Sequence, residues 1–390
     1  MLYYLFEIFG KDLSFLRVFS YITFRAGFAL ITAILISILF GKRFIKKLLE
    51  MKMGQPIRED HFHSLNQDKK NTPTMGGILI AFSVTVSTLL WGNFHSRYTW
   101  LALFCFLSFA VVGFADDYFK LKYRNSKGLS GKMKLVYQFA ISFIIAILLF
   151  KGGMLAAKLW GVNNFDIHRY SYKQLLTLEY TAKVTVPFLK NVFVNLGWMW
   201  IPFVMLVIVG SSNAVNLTDG LDGLAAGSVQ FTLVTFTILC YISGHWGICK
   251  YLQILYIEGI GEVTVFGAAM IGGVMGFLWF NCYPAQVFMG DIGSLAIGAV
   301  IGFISVITKS ELLLLICGAI FVAEALSVMM QVTYFKYTKK KYGEGRRIFK
   351  MAPLHHHFEM MGLKESKVIV RFWIISIILM LLTLGTLKLR

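Results

Sequence analysis

Charge is scarce in this chain. Asp, Glu, Lys and Arg make up 15% of its 390 residues, where a soluble protein carries about 25%. So few charges cannot cover a water-facing surface of that size, which excludes an ordinary soluble enzyme. Acidic residues are the scarcer half: 20 against 38 Lys and Arg, a net charge of +18. In a soluble protein that excess would point to nucleic acid; with so few charges overall it reads as basic loops facing anionic lipid, and no nucleic-acid partner is expected. Cysteine is sparse as well. The five cysteines form no CxxC pair, which argues against a disulfide framework or a zinc site. The N-terminus lacks a signal-peptide pattern, since Glu7, Lys11 and Asp12 precede the first long apolar run.

What is abundant is apolar. The set AVILMFWYC reaches 57%. Runs approaching a bilayer span of about 20 residues fall near 22–40, 75–92, 99–115, 135–157, 198–213, 224–243, 262–280, 293–308, 311–335 and 368–387. All ten read as helices, because isolated strands cannot satisfy their backbone in lipid. The expected fold is an all-α integral membrane protein, residues 1–390 forming one polytopic domain. Loops 41–74, 116–134, 214–223, 281–292 and 336–367 hold 23 Lys and Arg; the alternate set with the termini holds 12. The first set is therefore expected on the cytoplasmic side, with both termini outside. The long segment 158–197, with Tyr170, Tyr172 and Tyr180, reads as extracytoplasmic and without chemistry.

Nearly every polar cluster with chemical character falls in the cytoplasmic set. Asp116 and Asp117 end the third span; adjacent carboxylates repel and need a cation, a shared proton or water. In NAVNLTDGLDG (213–223), Asn216, Asp219 and Asp222 recur at spacing three and would share one face of a helical turn. In NCYPAQVFMGDIGS (281–294), Asp291 is the sole charge, between two glycines at a helix start. A helix N-cap is the plain alternative at Asp219 and at Asp291. MAPLHHHFE (351–359) places His355, His356 and His357 in succession. Three consecutive residues cannot share a helical face, so a loop motif is expected. KKNTPTMGG (69–77) puts Lys69 and Lys70 beside a Gly-Gly helix start, while His61 and His63 read as surface residues. Even-numbered spans would begin at the cytoplasmic face, so TPTMGG, TDGLDG and GDIGS would offer helix N-termini as anion sites. Hard oxygen ligands without cysteine favour Mg²⁺ or Mn²⁺. The residues thus point to a metal-dependent enzyme acting on phosphate esters at the inner membrane surface.

At these residues the chain resembles the bacterial phospho-N-acetylmuramoyl-pentapeptide-transferases along essentially its whole length. The resemblance rests on TPTMGG (72–77), Asp116-Asp117 with GLSGKMK (128–134), NAVNLTDGLDGLA (213–225), FNCYPAQVFMGDIGS (280–294) and MAPLHHHFE (351–359). It implies transfer of phospho-MurNAc-pentapeptide from UDP to undecaprenyl phosphate in the bacterial cytoplasmic membrane, giving lipid I and UMP. It also implies Mg²⁺, ten spans, an active site at the cytoplasmic face and a homodimer.

Carried over by position, the resemblance makes Asp291 the metal ligand, with Asp117 its acidic neighbour near the metal and Asp116 a proposed base. His355 and His356 become the essential histidines. Lys69, Thr74, Asn216, Asp219, Asp222, Asn281, Ser294, Gln331 and His357 fall among substrate-binding positions. The segment KYTKKKYGEGRRIF (336–349) looks longer than the family's common form. Two other functions compete: a transferase moving GlcNAc-1-phosphate to the same lipid, and a membrane transporter. Transporters tend to place charges near the bilayer midplane; here the acids gather at the boundary and Glu324 is the exception.

Overall fold

A computed structural model describes residues 2–4, 14–51, 72–123, 128–159, 181–189 and 192–389. The apolar runs fold into helices α1 (Ile22–Glu50), α2 (Gly77–Trp91), α3 (Arg97–Lys122) and α4 (Gly131–Leu159). A two-stranded hairpin follows, β1 (Lys183–Thr185) and β2 (Phe193–Asn195). The chain continues as α5 (Trp200–Thr218), α6 (Leu224–Ser243), the short α7 (Trp246–Leu252), α8 (Val263–Asn281) and α9 (Gly290–Ile307). It ends with α10 (Glu311–Cys317), α11 (Ala319–Tyr342), α12 (Leu354–Met360) and α13 (Glu365–Gly385). The protein is an all-α multi-pass membrane protein.

Among the described residues nine helices are long and apolar enough to cross a membrane. The expected second span, α2, has only 15 residues, roughly 22 Å at 1.5 Å per residue. The expected ninth span is two helices, because the chain breaks at Gly318 between α10 and α11. The hairpin pairs Val184 with Val194 in antiparallel register. It lies within 158–197, the segment expected to be extracytoplasmic and without chemistry, for which no strand was expected. Its short alternating stretches fall far below a spanning length, so a search for long apolar runs passes over them. Tyr170, Tyr172 and Tyr180 lie outside the described residues.

α8 and α9 form the centre. Their apolar windows are 83% and 89% buried, against 28% for α1 and 22% for α4. Small residues make this possible, since lipid gives helices no hydrophobic reason to associate and close backbone approach must do the work. A Cβ on Gly272 of α8 would stand 2.2 Å from the Leu30 carbonyl oxygen of α1. At the end of α1 far from the acid cluster, Arg25 makes paired hydrogen bonds of 2.8 and 2.9 Å to Glu262, fixing α1 to the turn before α8. Described parts of all five loops of the more basic set meet at the other end.

Candidate functional site

The last turns of α3 carry Asp116 and Asp117, and one turn on the same helix supplies their cation. Lys120 Nζ lies 2.5 Å from Asp116 Oδ2 and 3.4 Å from Asp117 Oδ1. The same ammonium is 3.0 Å from Asp291 Oδ2, brought in by the first turn of α9. Lys134, in the first turn of α4, reaches Asp291 Oδ2 at 2.6 Å. Carboxylate oxygens of Asp116, Asp117 and Asp291 all lie within 4.8 Å of one another. Two backbone amides help to orient the acids. Leu129 N donates to Asp116 Oδ1 at 2.9 Å and Ile292 N to Asp117 Oδ2 at 3.4 Å. Asn216 Nδ2 donates to Asp291 Oδ1 and to Ser294 Oγ, both at 2.8 Å. Asn216 and Ser294 therefore belong to the wall around Asp291.

The shared face expected for Asn216, Asp219 and Asp222 does not form. α5 stops at Thr218, and Asp219–Gly223 make a turn. Asp222 leaves the cluster: its Oδ2 accepts from Ala285 N at 3.0 Å, and its own N–H donates to Glu365 Oε1. Asn281 staples the same two loops, its Oδ1 accepting from Gly223 N and its Nδ2 donating to Val287 O. Asp219 stays with the acids. Burial, then the charges of Asp291, Asp117 and Asp222, push its carboxyl up to about 8.

The glycine-rich helix starts are not open anion sites. Gly76 N and Gly77 N donate to Phe288 O and Met289 O, each at 2.8 Å, and Phe288 N donates to Pro73 O. TPTMGG is thus a strap laced to the segment that delivers Asp291. Gly223 N before α6 and Ile292 N in α9 also have protein acceptors. What the strap contributes is Thr74, a buried residue whose Oγ1 has no partner among the described residues. A Cβ placed on Gly290, whose φ is +71°, would lie 2.5 Å from Asp117 Oδ2 and 3.0 Å from Thr74 Oγ1. The bare glycine leaves that cradle open.

These residues fit a divalent cation. The carboxylates of Asp116, Asp117 and Asp291 share the ammonium groups of Lys120 and Lys134, so three acids meet two cations with Asp219 beside them. The unpartnered Thr74 hydroxyl, and an Asp219 carboxyl pushed up to about 8 by burial and by the neighbouring acids, are what an added cation would satisfy.

The three histidines lie on a helix, α12, and not in a loop; each ring takes a separate partner, as the angular step of a helix requires. His355 is fully buried, its N–H donating to Glu324 Oε1 and its Nδ1 lying 3.2 Å from Glu324 Oε2. His356 Nδ1 lies 2.8 Å from Glu359 Oε2. His357 Nδ1 accepts from Lys350 N at 3.1 Å. The ring of His355 rests on the Asp219–Gly223 turn: a Cβ on Gly220 would stand 2.2 Å from His355 Nε2. Gln331 braces this module, its Oε1 accepting from Ile348 N and Phe349 N at 3.0 Å. Lys69, His61 and His63 lie outside the described residues.

Comparison with known proteins now separates this arrangement from other acidic membrane clusters. Residues 99–309 match the family described as glycosyl transferase family 4. Residues 69–80 match phospho-N-acetylmuramoyl-pentapeptide-transferase signature 1. Relatives bearing the name phospho-N-acetylmuramoyl-pentapeptide-transferase include one from Solidesulfovibrio magneticus, 48% identical over the full length of both chains. Others come from Oleidesulfovibrio alaskensis, 47% identical, and Maridesulfovibrio salexigens, 45% identical, again over both full lengths. The chain belongs to the phospho-N-acetylmuramoyl-pentapeptide-transferase family.

The broader glycosyl transferase match runs from the start of α3 to Lys309 and so covers the acid cluster. The muramoyl transferase signature covers the strap and the start of α2, and α12 with its histidines lies beyond both. Within this transferase family member, the sequence reading singled out every carboxylate of the cluster but neither lysine. Lys120 was visible as the residue three and four positions after the acid pair. Lys134 had no local signal, because only the packing of α4 brings it to Asp291.

Proposed function

We propose that this chain transfers phospho-MurNAc-pentapeptide from UDP to undecaprenyl phosphate, producing lipid I and UMP. The observation that carries the reading is the convergence of Asp116, Asp117 and Asp291 on two lysines, at the end of the bundle where the strap and histidine helix also meet. A lipid phosphate oxygen attacks the phosphorus bonded to the sugar, and the bond to UMP breaks. Such transfers demand positioning and charge neutralisation above all. Asp291, with Asp117 and Asp116, would hold Mg²⁺, which when bound supplies charge stabilisation to the pyrophosphate and the departing UMP.

Lys120 and Lys134 stand where phosphate oxygens arrive and offer ammonium donors to them. Asp116 is held by Lys120 and by Leu129 N, contacts that fix the orientation of its carboxyl. A phosphate ester has a second pKa near 6, so the acceptor is mostly dianionic at pH 7 and needs no base. Asp116 orients and balances charge in this reading. Asn216 and Ser294 set the rotamer of Asp291, and Thr74 offers its hydroxyl beside Asp117.

The positive-inside count supports an acid cluster on the cytoplasmic side of the bacterial cytoplasmic membrane, both termini outside, in one transmembrane unit. The family resemblance is the support for a homodimer. The test is UMP release by the purified chain with undecaprenyl phosphate and Mg²⁺. UDP-MurNAc-pentapeptide is expected to be turned over and UDP-GlcNAc not; turnover of UDP-GlcNAc alone would overturn the reading.

A further inference from the structure

Glu324 lies in the second turn of α11, fully buried, and both its oxygens are turned to one residue. Oε1 accepts from His355 N at 3.1 Å and Oε2 faces His355 Nδ1 at 3.2 Å. A carboxylate can only accept, so the ring nitrogen facing it carries the proton. The other nitrogen, Nε2, is buried and has no hydrogen-bond partner among the described residues. It lies against Gly220, next to Asp219 of the acid cluster, in the turn that a Cβ would drive away from the ring. Burial holds the imidazole below its usual pKa, so the ring is neutral and Nε2 presents a lone pair. Buried unpaired acceptors are rare, because each forgoes the hydrogen bond it had in water. One kept beside a reaction centre is an acceptor waiting for a donor.

Resting on the proposed transfer reaction, we propose that Glu324 is a positioning residue that locks His355 with its proton on Nδ1, so that Nε2 accepts an N–H or O–H of the nucleotide-sugar substrate. The donor arrives as the Asp219–Gly223 turn lifts off the ring. Gly220 keeps this motion free of a side-chain clash, and Glu324 prevents the ring from turning over.

Glu324→Gln separates this role from packing. The amide keeps the shape and can still accept from His355 N, but its NH₂ now donates to Nδ1 and forces the proton to Nε2. In full-length protein labelled with ¹⁵N-histidine, His355→Gln identifies the His355 signals among the eight histidines. Wild type is expected to show a protonated Nδ1 and Glu324→Gln a protonated Nε2. With UDP-MurNAc-pentapeptide, kcat/KM of the variant is expected to fall on the order of 100-fold, the scale of a misassigned histidine proton or lost outer support, with Tm within a few degrees. Gly220→Ala, which leaves Glu324 untouched and displaces the ring, is expected to lower kcat/KM comparably if Glu324→Gln does not fold. A wild-type ring protonated on Nε2, or a folded Glu324→Gln with wild-type kcat/KM, overturns the proposal. A wild type that releases no UMP defeats the transfer reading instead, and the nitrogen spectra report separately.

Discussion

Gly113 of α3 lies directly on the backbone of Asp291, so that a Cβ added to the glycine would stand 2.2 Å from the Asp291 carbonyl oxygen. This contact sets the spacing between the helix carrying the acid pair and the helix carrying the third carboxylate. Gly113→Ala must push α3 and α9 apart. Overpacking of this kind costs about 1–3 kcal/mol. We expect UMP release to fall at least about 30-fold with a measurably lower Tm. An alanine variant with wild-type turnover would show that the helices can separate without opening the cluster.

Asp291→Asn is expected to insert and fold, because Asn216 can still bond the amide oxygen. It should lose activity by on the order of 100-fold or more, since a charged cation ligand is gone. Raising Mg²⁺ that restored full turnover would shift the effect to affinity. Wild-type turnover at ordinary Mg²⁺ would remove Asp291 from the metal site.

Cation binding should depend on pH through Asp219. Without a bound cation its carboxyl sits at about 8, so at pH 6–7 it carries a proton that the folded protein retains. A cation beside Asp117 and Asp291 favours the ionised form and expels that proton. Apparent Mg²⁺ affinity should therefore climb as pH rises from 6 to 8, by at most about tenfold per unit, and level off above. Calorimetry in two buffers of different ionisation enthalpy would report the released proton; identical heats in both would contradict the assignment.

Cys282 is exposed in the loop before α9, at the acid end of the bundle. A membrane-impermeant thiol reagent should label it only from the cytoplasmic side. A cysteine at the exposed position 188 beyond β1 should label only from outside, in a Cys282→Ser background. Labelling of both from one side would break the topology on which the proposed function rests.

The carboxylates were legible because each is a charge with no reason to sit at the edge of an apolar run. The long apolar helices were legible for the same reason in reverse. Partnerships were harder. Spacing alone grouped Asn216 with Asp222, but α5 ends at Thr218, and the turn sends Asp222 to Ala285 instead of Asp291. The glycines of TPTMGG read as an anion cradle, yet their amides belong to Phe288 and Met289. Lys134 and Asp291 lie 157 residues apart, and no local pattern encodes that meeting. Glu324 stood out in the sequence as a lone acid in an apolar helix, and His355 as one of three histidines; their pairing did not.

The lacing of Pro73–Gly77 to Phe288–Met289 makes the strap a ruler. Three backbone hydrogen bonds fix its register, and backbone bonds are indifferent to most side chains. One residue added to either strand of the lacing would slide it by about 3.3 Å, farther than Lys134 reaches to hold Asp291. Drift in the letters of this segment is therefore more survivable than drift in its length, except at Gly76 and Gly77, where a Cβ would stand 2.5 Å from the Phe277 ring and 2.2 Å from Gly293 N.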